Sequence, residues 1–322
     1  MPVFAKIQNQ ASKICSTLAN NFKEFKSLSK EAQASFDKPF IKSVGTFRNY
    51  CQALTNVGKY LKEINDKHRV DLKNLTLKQA TDYLEHRKSE VSQKTLDMER
   101  QAIQKVLILN GSLSSKSSLE VTKSELKTVL LPRAYTLDQV NAICGHQNEA
   151  NSLSTMIAYN AGLRAHELLT IERKNEKDVT LRPNKDNEKK FYKNKFEGRN
   201  NTVAYIVTGK GGHIREIRLS QELSAKLEER RLVEPRIVKD RTVFYKQKYD
   251  LNGGNSWSKS FSKASKAALG WSTGAHGLRH SYAQERMETL KQICGHSKED
   301  ALAIVSLEMG HYRSEITTVY LR

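Results

Sequence analysis

Six residues in the second half of the chain have the types needed to attack a phosphodiester without a metal: Arg164, Lys210, His276, Arg279, His311 and Tyr320. The phosphodiester is an anion, and more charge develops on it in the transition state. Fixed cations must meet that charge, and arginine suits the task because its planar fork binds two phosphate oxygens at once. A hydroxyl must attack phosphorus, and a general acid must protonate the departing 5′ oxygen. Two arginines, two histidines, a lysine and a tyrosine supply all of these parts.

Their spacing constrains the structure. His276 and Arg279 stand three apart in "AHGLRHSYAQ", so on a helix they share one face. His311 and Tyr320, in "GHYRSEITTVYLR", stand nine apart. A continuous helix would separate them by about two and a half turns, so a bend or loop is expected between them. Glu167 follows Arg164 by three and is placed to orient a cationic partner. His280 points about 100° around the helix from Arg279 and ranks below His276. A second Gly-His pair ends at His296, but Val305 stands nine residues beyond it, where Tyr320 follows His311. The 32 residues from Arg279 to His311 imply an insertion around 288–300 near the active-site face. "TGKGG" around Lys210 has no Ser or Thr after the lysine and lacks the earlier glycine of a nucleotide-binding loop, so it is not an ATP site. The repeated Ile-Cys-Gly-His at 143–146 and 293–296 spaces Cys and His too tightly for a usual zinc pair.

"GLRAHELL", "TGKGG", "HGLRHSYA" and "MGHYRSEITTVYL" resemble, in order, the motif boxes of the tyrosine recombinase (phage integrase) family. The resemblance is strong over residues 134–322 and extends, as a helical DNA-clamping domain, over 36–110. It implies that Arg164 and Arg279 clamp the scissile phosphate, Lys210 protonates the 5′ oxygen, His276 assists proton transfer, His311 hydrogen-bonds the phosphate and Tyr320 is the nucleophile. It further implies a 3′-phosphotyrosyl intermediate, a Holliday junction, a homo-tetramer on two sites in double-stranded DNA, and no cofactor or metal. Accessory DNA-bending or directionality proteins and a mobile genetic element belong to the same expectation. Many relatives continue past the tyrosine into a helix exchanged between subunits; here only Leu321 and Arg322 follow, so that exchange is not expected. The rival readings are a type IB topoisomerase, which relaxes DNA as a monomer, and a DNA-binding regulator without turnover.

The elements that must hold these residues are also legible. The expected fold is mainly α with a small β-sheet: an all-helical core-binding domain followed by an α+β catalytic domain. Residues 1–35 read as an N-terminal helical extension, with Ile7, Ala11, Ile14, Leu18 and Phe22 at helical spacing. That stripe must be buried either on its own domain or on a neighbouring subunit. Residues 36–111 read as the helical DNA-binding domain, with a stripe at Phe47, Tyr50, Cys51, Leu54, Val57 and Leu61, and with Thr76 as an N-cap. The Ser- and Lys-rich stretch 112–133 reads as a flexible linker and 134–322 as the catalytic domain. Within it, Val203, Tyr205 and Val207 alternate, then Arg215, Ile217 and Leu219, around glycines 209, 211 and 212, which predicts a β-hairpin with Lys210 in its turn. Residues 172–201 read as a charged, solvated loop with short strands, and everything after the hairpin as helical.

Composition agrees with a polyanionic partner. The chain has 322 residues and a formal charge of +19, with a net +10 in residues 1–133 and +9 in 134–322. Two basic domains on a linker suit a clamp closing on a duplex, where each neutralised phosphate adds salt-sensitive affinity. No signal peptide or membrane span is evident, so a cytoplasmic, nucleoid-associated location is expected. The four well-separated cysteines read as reduced thiols.

Overall fold

The computed structural model describes residues 6–64, 70–127, 129–179, 190–311 and 314–322. The chain divides into two compact units, Met1–Val129 and Leu130–Arg322.

The first unit is helical: α1 (Ile7–Ser27), α2 (Lys30–Ala34), α3 (Val44–Ile64), α4 (Leu77–Arg87) and α5 (Gln93–Leu109). Thr76 caps α4 in a reciprocal box with Gln79, as the sequence predicts. The stripe of α1 does not wait for a neighbour. Ala11, Ile14, Cys15 and Leu18 are buried in one core with Leu54, Val57 and Leu61 of α3 and Ile103 and Leu107 of α5. An intersubunit role for residues 1–35 therefore loses its motive, because the apolar face that asked for a partner already has one. The stretch expected to be a loose linker is also tied down over part of its length. Leu119 is buried in the same core, Arg100 donates to its carbonyl at 2.8 Å, and the Glu125 amide donates to Lys88 O at 2.9 Å. Val129, Leu130 and Leu131, at the boundary between the units, are all exposed.

The second unit contains α6 (Leu137–Gly145), α7 (Glu149–Ala161), β1 (Glu172–Arg173), β2 (Thr202–Thr208), β3 (Ile214–Ser220), α8 (Gln221–Glu228), β4 (Arg231–Asp240), β5 (Val243–Tyr249), α9 (Gly254–Leu269), α10 (Gly277–Glu288), α11 (Lys298–Met309) and α12 (Glu315–Thr318). Strands β1, β2 and β3 form an antiparallel sheet in that order. The register pairs Val203 with Leu219, Tyr205 with Ile217 and Val207 with Arg215. These pairs share the face that packs against Ile157 and Ala158 of α7 and Trp257 and Phe261 of α9. Burying each apolar side chain of this face contributes roughly 1.5–3 kcal/mol. A second cluster lies between α10 and α11 and takes in Met287, Leu290, Ile304 and Val305 together with Tyr320. The segment after α10 forms a π-helical turn, Thr289–Ile293.

One sequence expectation fails here. The chain after β3 is not wholly helical, because β4 and β5 pair as a separate two-stranded ribbon. Its alternation was hidden by charged residues and by Pro235, and much of one face is exposed, so no apolar period marks it. Of the charged loop expected over 172–201, residues 180–189 lie outside the described residues. No helix among the described residues is long and apolar enough to cross a membrane.

Candidate active site

Each candidate residue stands at or near the end of an element. Helix α7 stops at Gly162, whose φ of +59° is the left-handed turn that favours glycine; a Cβ there would also strike the Tyr282 ring at 2.7 Å. The chain then turns through Arg164 into a short 3-10 stretch, Glu167–Thr170. Lys210 sits at the turn between β2 and β3. His276 occupies the N-cap position of α10, and Arg279 lies in its first turn. Helix α11 stops at Gly310, φ +68°, which sends His311 out of the helix; a Cβ at Gly310 would meet Arg215 Cδ at 2.7 Å. Tyr320 follows the short α12, so the expected bend between His311 and Tyr320 is present. Tyr312, the alternative tyrosine in the same box, lies outside the described residues.

Glu167 is the centre of the arrangement. It is fully buried, and its carboxylate accepts from Arg164 Nη1 and Arg215 Nη2, both at 2.8 Å, and from the Arg164 amide at 2.9 Å. Arg279 Nη1 lies 3.8 Å away. Burial alone would raise the Glu167 pKa; Arg215, Arg279 and Arg164 reverse that and hold the carboxyl well below the usual carboxylate range. Arg279 is fully buried, and loss of solvent together with Arg164 lowers it to about 10, so it stays protonated at neutral pH. Its fork donates to Gly162 O, to Met309 O at 3.1 Å and to His311 Nε2 at 3.1 Å. With Nε2 accepting, the hydrogen-bond network assigns the His311 proton to Nδ1, which donates to Thr317 Oγ1 at 2.8 Å. Arg164 keeps a quarter of its side chain exposed and presents its cation to the opening.

The Tyr320 ring lies among three imidazoles. Its hydroxyl is 3.0 Å from His276 Nε2, and its ring centroid is 5.1 Å from that of His311 and 4.8 Å from that of His280. The Arg279 guanidinium lies 5.6 Å from the same ring. Desolvation and then the neighbouring Arg279 push the His276 pKa down, leaving a neutral imidazole beside the phenol at pH 7 although the side chain keeps an exposed edge. A neutral imidazole can accept the phenolic proton. Arg164, Glu167, Gly209, His213, Arg215, His311 and Tyr320 line one cavity of about 310 Å³. A larger cavity, about 530 Å³, lies in the first unit beside Lys13 and Asp71 and holds none of the six residues.

The structure therefore brings five of the candidate side chains together and sets the backbone of Lys210 next to the cavity wall at Gly209. It adds Arg215 and His213, which the sequence does not mark as site residues, and places His280 beside Tyr320. Arg215 is buried and bridges Glu167, Gly162 O (3.4 Å) and Glu308 O (2.6 Å), joining the Lys210 hairpin to the loops of Arg164 and His311. His213 lines the cavity. His280, ranked below His276 from its helical angle, is buried with its ring 4.8 Å from that of Tyr320. His296 instead pairs with Glu197 Oε2 at 2.9 Å, away from the cluster. Cys144 Sγ contacts Ser152 O at 3.7 Å, and no group of metal-ligating side chains occurs among the described residues.

His280 gives a pH signature. Burial, with Arg133 and Arg322 nearby, depresses its pKa from 6.5 to about 4. An unfolded chain takes up that proton near pH 6.5 while the folded one refuses it until about pH 4. Its contribution to stability is complete above pH 6.5 and is lost as the pH falls towards 4. Melting temperatures taken from pH 7 to 4 should therefore fall more steeply for the parent protein than for His280→Asn.

No family model matches the sequence, and no curated protein matches it. Solved structures do. The chain is similar to the XerH site-specific recombinase in its post-cleavage complex with palindromic difH substrate, at 15% identity over 100% of this chain and 94% of that one, with a TM-score of 0.57. The pre-cleavage complex of XerH with difH gives 18% identity, coverage of 98% and 90%, and a TM-score of 0.55. A lambda integrase dimer (residues 75–356) bound to a COC′ core site gives 15% identity, 94% coverage of each chain and a TM-score of 0.51. At these identities the likeness is one of fold, and the fold is that of the tyrosine recombinases.

Proposed function

We propose that this protein is a site-specific DNA recombinase that cleaves and rejoins duplex DNA through a covalent tyrosine intermediate. The observation that carries the reading is the Tyr320 hydroxyl held 3.0 Å from a neutral His276 in a cluster with Arg279 and His311, with Arg164 lining the same cavity as Tyr320. The solved structures of the same fold are DNA complexes of a site-specific recombinase and an integrase.

In the proposed reaction Tyr320 Oη attacks the scissile phosphorus while His276 Nε2 takes the phenolic proton. The P–O5′ bond breaks, Lys210 donates a proton to the leaving 5′ oxygen, and a 3′-phosphotyrosyl ester forms. Arg164, Arg279 and His311 meet the charge on the non-bridging oxygens; a single preorganised donor of this kind is worth about 10²–10³ in rate. Without substrate, the Arg279 fork is occupied by two carbonyls and His311. A phosphate entering the site replaces His311 Nε2 as an acceptor of Arg279, and His311, with Nε2 protonated, then donates to a phosphate oxygen while Nδ1 accepts from the Thr317 hydroxyl. Attack by a 5′ hydroxyl from a second duplex reverses the steps and exchanges strands. Recombination by this route needs two duplexes and four active sites, hence a tetramer on DNA.

Lys210 provides the test. Lys210→Ala should cleave ordinary DNA at least about 10²-fold more slowly. It should recover on DNA whose leaving 5′ oxygen is replaced by sulfur, because a thiolate departs without a proton. Failure to recover would remove Lys210 from the acid role. Joining of ends from two different duplexes separates recombination from simple relaxation, and an absence of any covalent adduct would indicate a binding protein without turnover.

A further inference from the structure

The β4–β5 ribbon has two unlike faces. The register pairs Ile237 with Lys246 and Lys239 with Phe244 on one face, and Arg236 with Gln247 and Val238 with Tyr245 on the other. The second face is the inner one. Gln247 is buried and donates to Leu251 O at 2.6 Å, and the Tyr245 ring lies 6.3 Å from that of His166. The outer face is open, with Ile237 and Phe244 each 66% exposed.

Its charges are divided in the same way. Arg231, Arg236 and Arg241 are each ion-paired, to Glu176, Asp250 and Asp240. The outer lysines, Lys239 and Lys246, have no carboxylate partner among the described residues, and the Lys239 ammonium lies 5.5 Å from the Phe244 ring centroid. The outer face is thus apolar and uncompensated in positive charge. The ribbon also borders the candidate site. Tyr245 packs beside His166, two residues from Arg164; Asp240 at the tip accepts from the Asn255 amide at 2.8 Å in the first turn of α9, where the Gly254 amide donates to Ala165 O at 2.7 Å.

We propose that this outer face is a DNA-contacting surface that enters a groove of the duplex beside the cleaved bond. The inference rests on the recombinase reading, which lays a duplex across Arg164. The major groove admits a two-stranded ribbon, lysines neutralise phosphates, and apolar side chains meet thymine methyl groups. Charge complementarity selects DNA over a second copy of this +19 chain. Strand addition by another chain is disfavoured as well, because Pro235 removes a donor from β4 and the register slips between Arg231 and Arg236.

The test uses the full-length protein and two double variants, Lys239→Ala/Lys246→Ala and Ile237→Ser/Phe244→Ser, on an exposed face where folding should be untouched. Binding to fluorescent duplexes is measured against salt concentration. The lysine variant should lower the slope of log K against log salt by about 1.8, two contacts at about 0.9 each. The apolar variant should bind roughly tenfold more weakly, a loss of about 1.4 kcal/mol, with the slope preserved. If the parent binds DNA and forms adducts while both variants match it in affinity and slope, the ribbon proposal fails and the recombinase reading stands. If the parent binds no duplex at all, that reading fails first. Self-association of DNA-free protein that both variants abolish would assign the face to a second copy and overturn the proposal.

Discussion

Tyr320→Phe is expected to bind duplex DNA as tightly as the parent protein and to form covalent adducts at least about 10³-fold more slowly, in practice below detection. The substitution deletes one oxygen and no charge. The ring keeps its place among His276, His280 and His311, and the guanidinium of Arg279 keeps its aromatic neighbour. One hydrogen bond is lost, that to His276 Nε2, at a stability cost of about 1 kcal/mol. The exposed edge of His276 lets water take the vacated position. Binding and chemistry should therefore separate cleanly. A variant that still forms adducts at the parent rate would dismiss Tyr320 and direct attention to Tyr312.

The second large effect concerns stability. Glu167→Ala should lower unfolding free energy by about 3–5 kcal/mol, read as a drop in the urea midpoint. Arg279 and Arg215 are almost wholly inaccessible to water, and Glu167 is the carboxylate that both face. Removing it leaves two buried guanidinium groups whose charge nothing nearby compensates, with Arg164 adding a third at the opening. Glu167→Gln retains one acceptor oxygen and should cost less than the alanine variant, but its amide donors would face arginine donors. An alanine variant as stable as the parent would mean that backbone carbonyls and water hold these arginines unaided.

These two predictions draw on residues that the sequence revealed unequally. Arg164, His276, Arg279, His311 and Tyr320, which the fold brings together, are legible as a set because they occur in short boxes whose chemistry is complementary, and Lys210 is legible as a turn residue between two strands. Glu167 was legible as an orienting acid because it lies within one turn of Arg164. Arg215 was not, although a signal was present. It shares the register of Ile217 and Leu219, so an arginine stands where a core-facing side chain belongs. A buried cation requires a buried anion, and Glu167 is that anion. The angle of His280 on α10 ranks it low, but the Tyr320 ring that packs beside it arrives from 40 residues away, and no helical periodicity reports such an approach. The first hairpin was predictable because glycines and alternating apolar residues mark it. The β4–β5 ribbon was not, because its outer face is exposed and basic and Pro235 interrupts its pattern. The fate of the α1 stripe was undecidable from sequence for a related reason: an amphipathic helix states that it must be buried and does not state where.

The central claim is that Tyr320 becomes covalently joined to DNA. Nicked suicide duplexes carrying a randomised sequence would be incubated with the protein, so that cleavage releases a short strand and traps any adduct. After denaturation, protein-linked DNA is captured, digested with nuclease and protease, and the modified peptide is sequenced by mass spectrometry. The expected product is a nucleotide phosphate attached to Tyr320, with the adduct on the 3′ end of the cleaved strand. Cleavage with a phosphate on any other residue, or with free 3′ and 5′ ends and no protein attached, would contradict it.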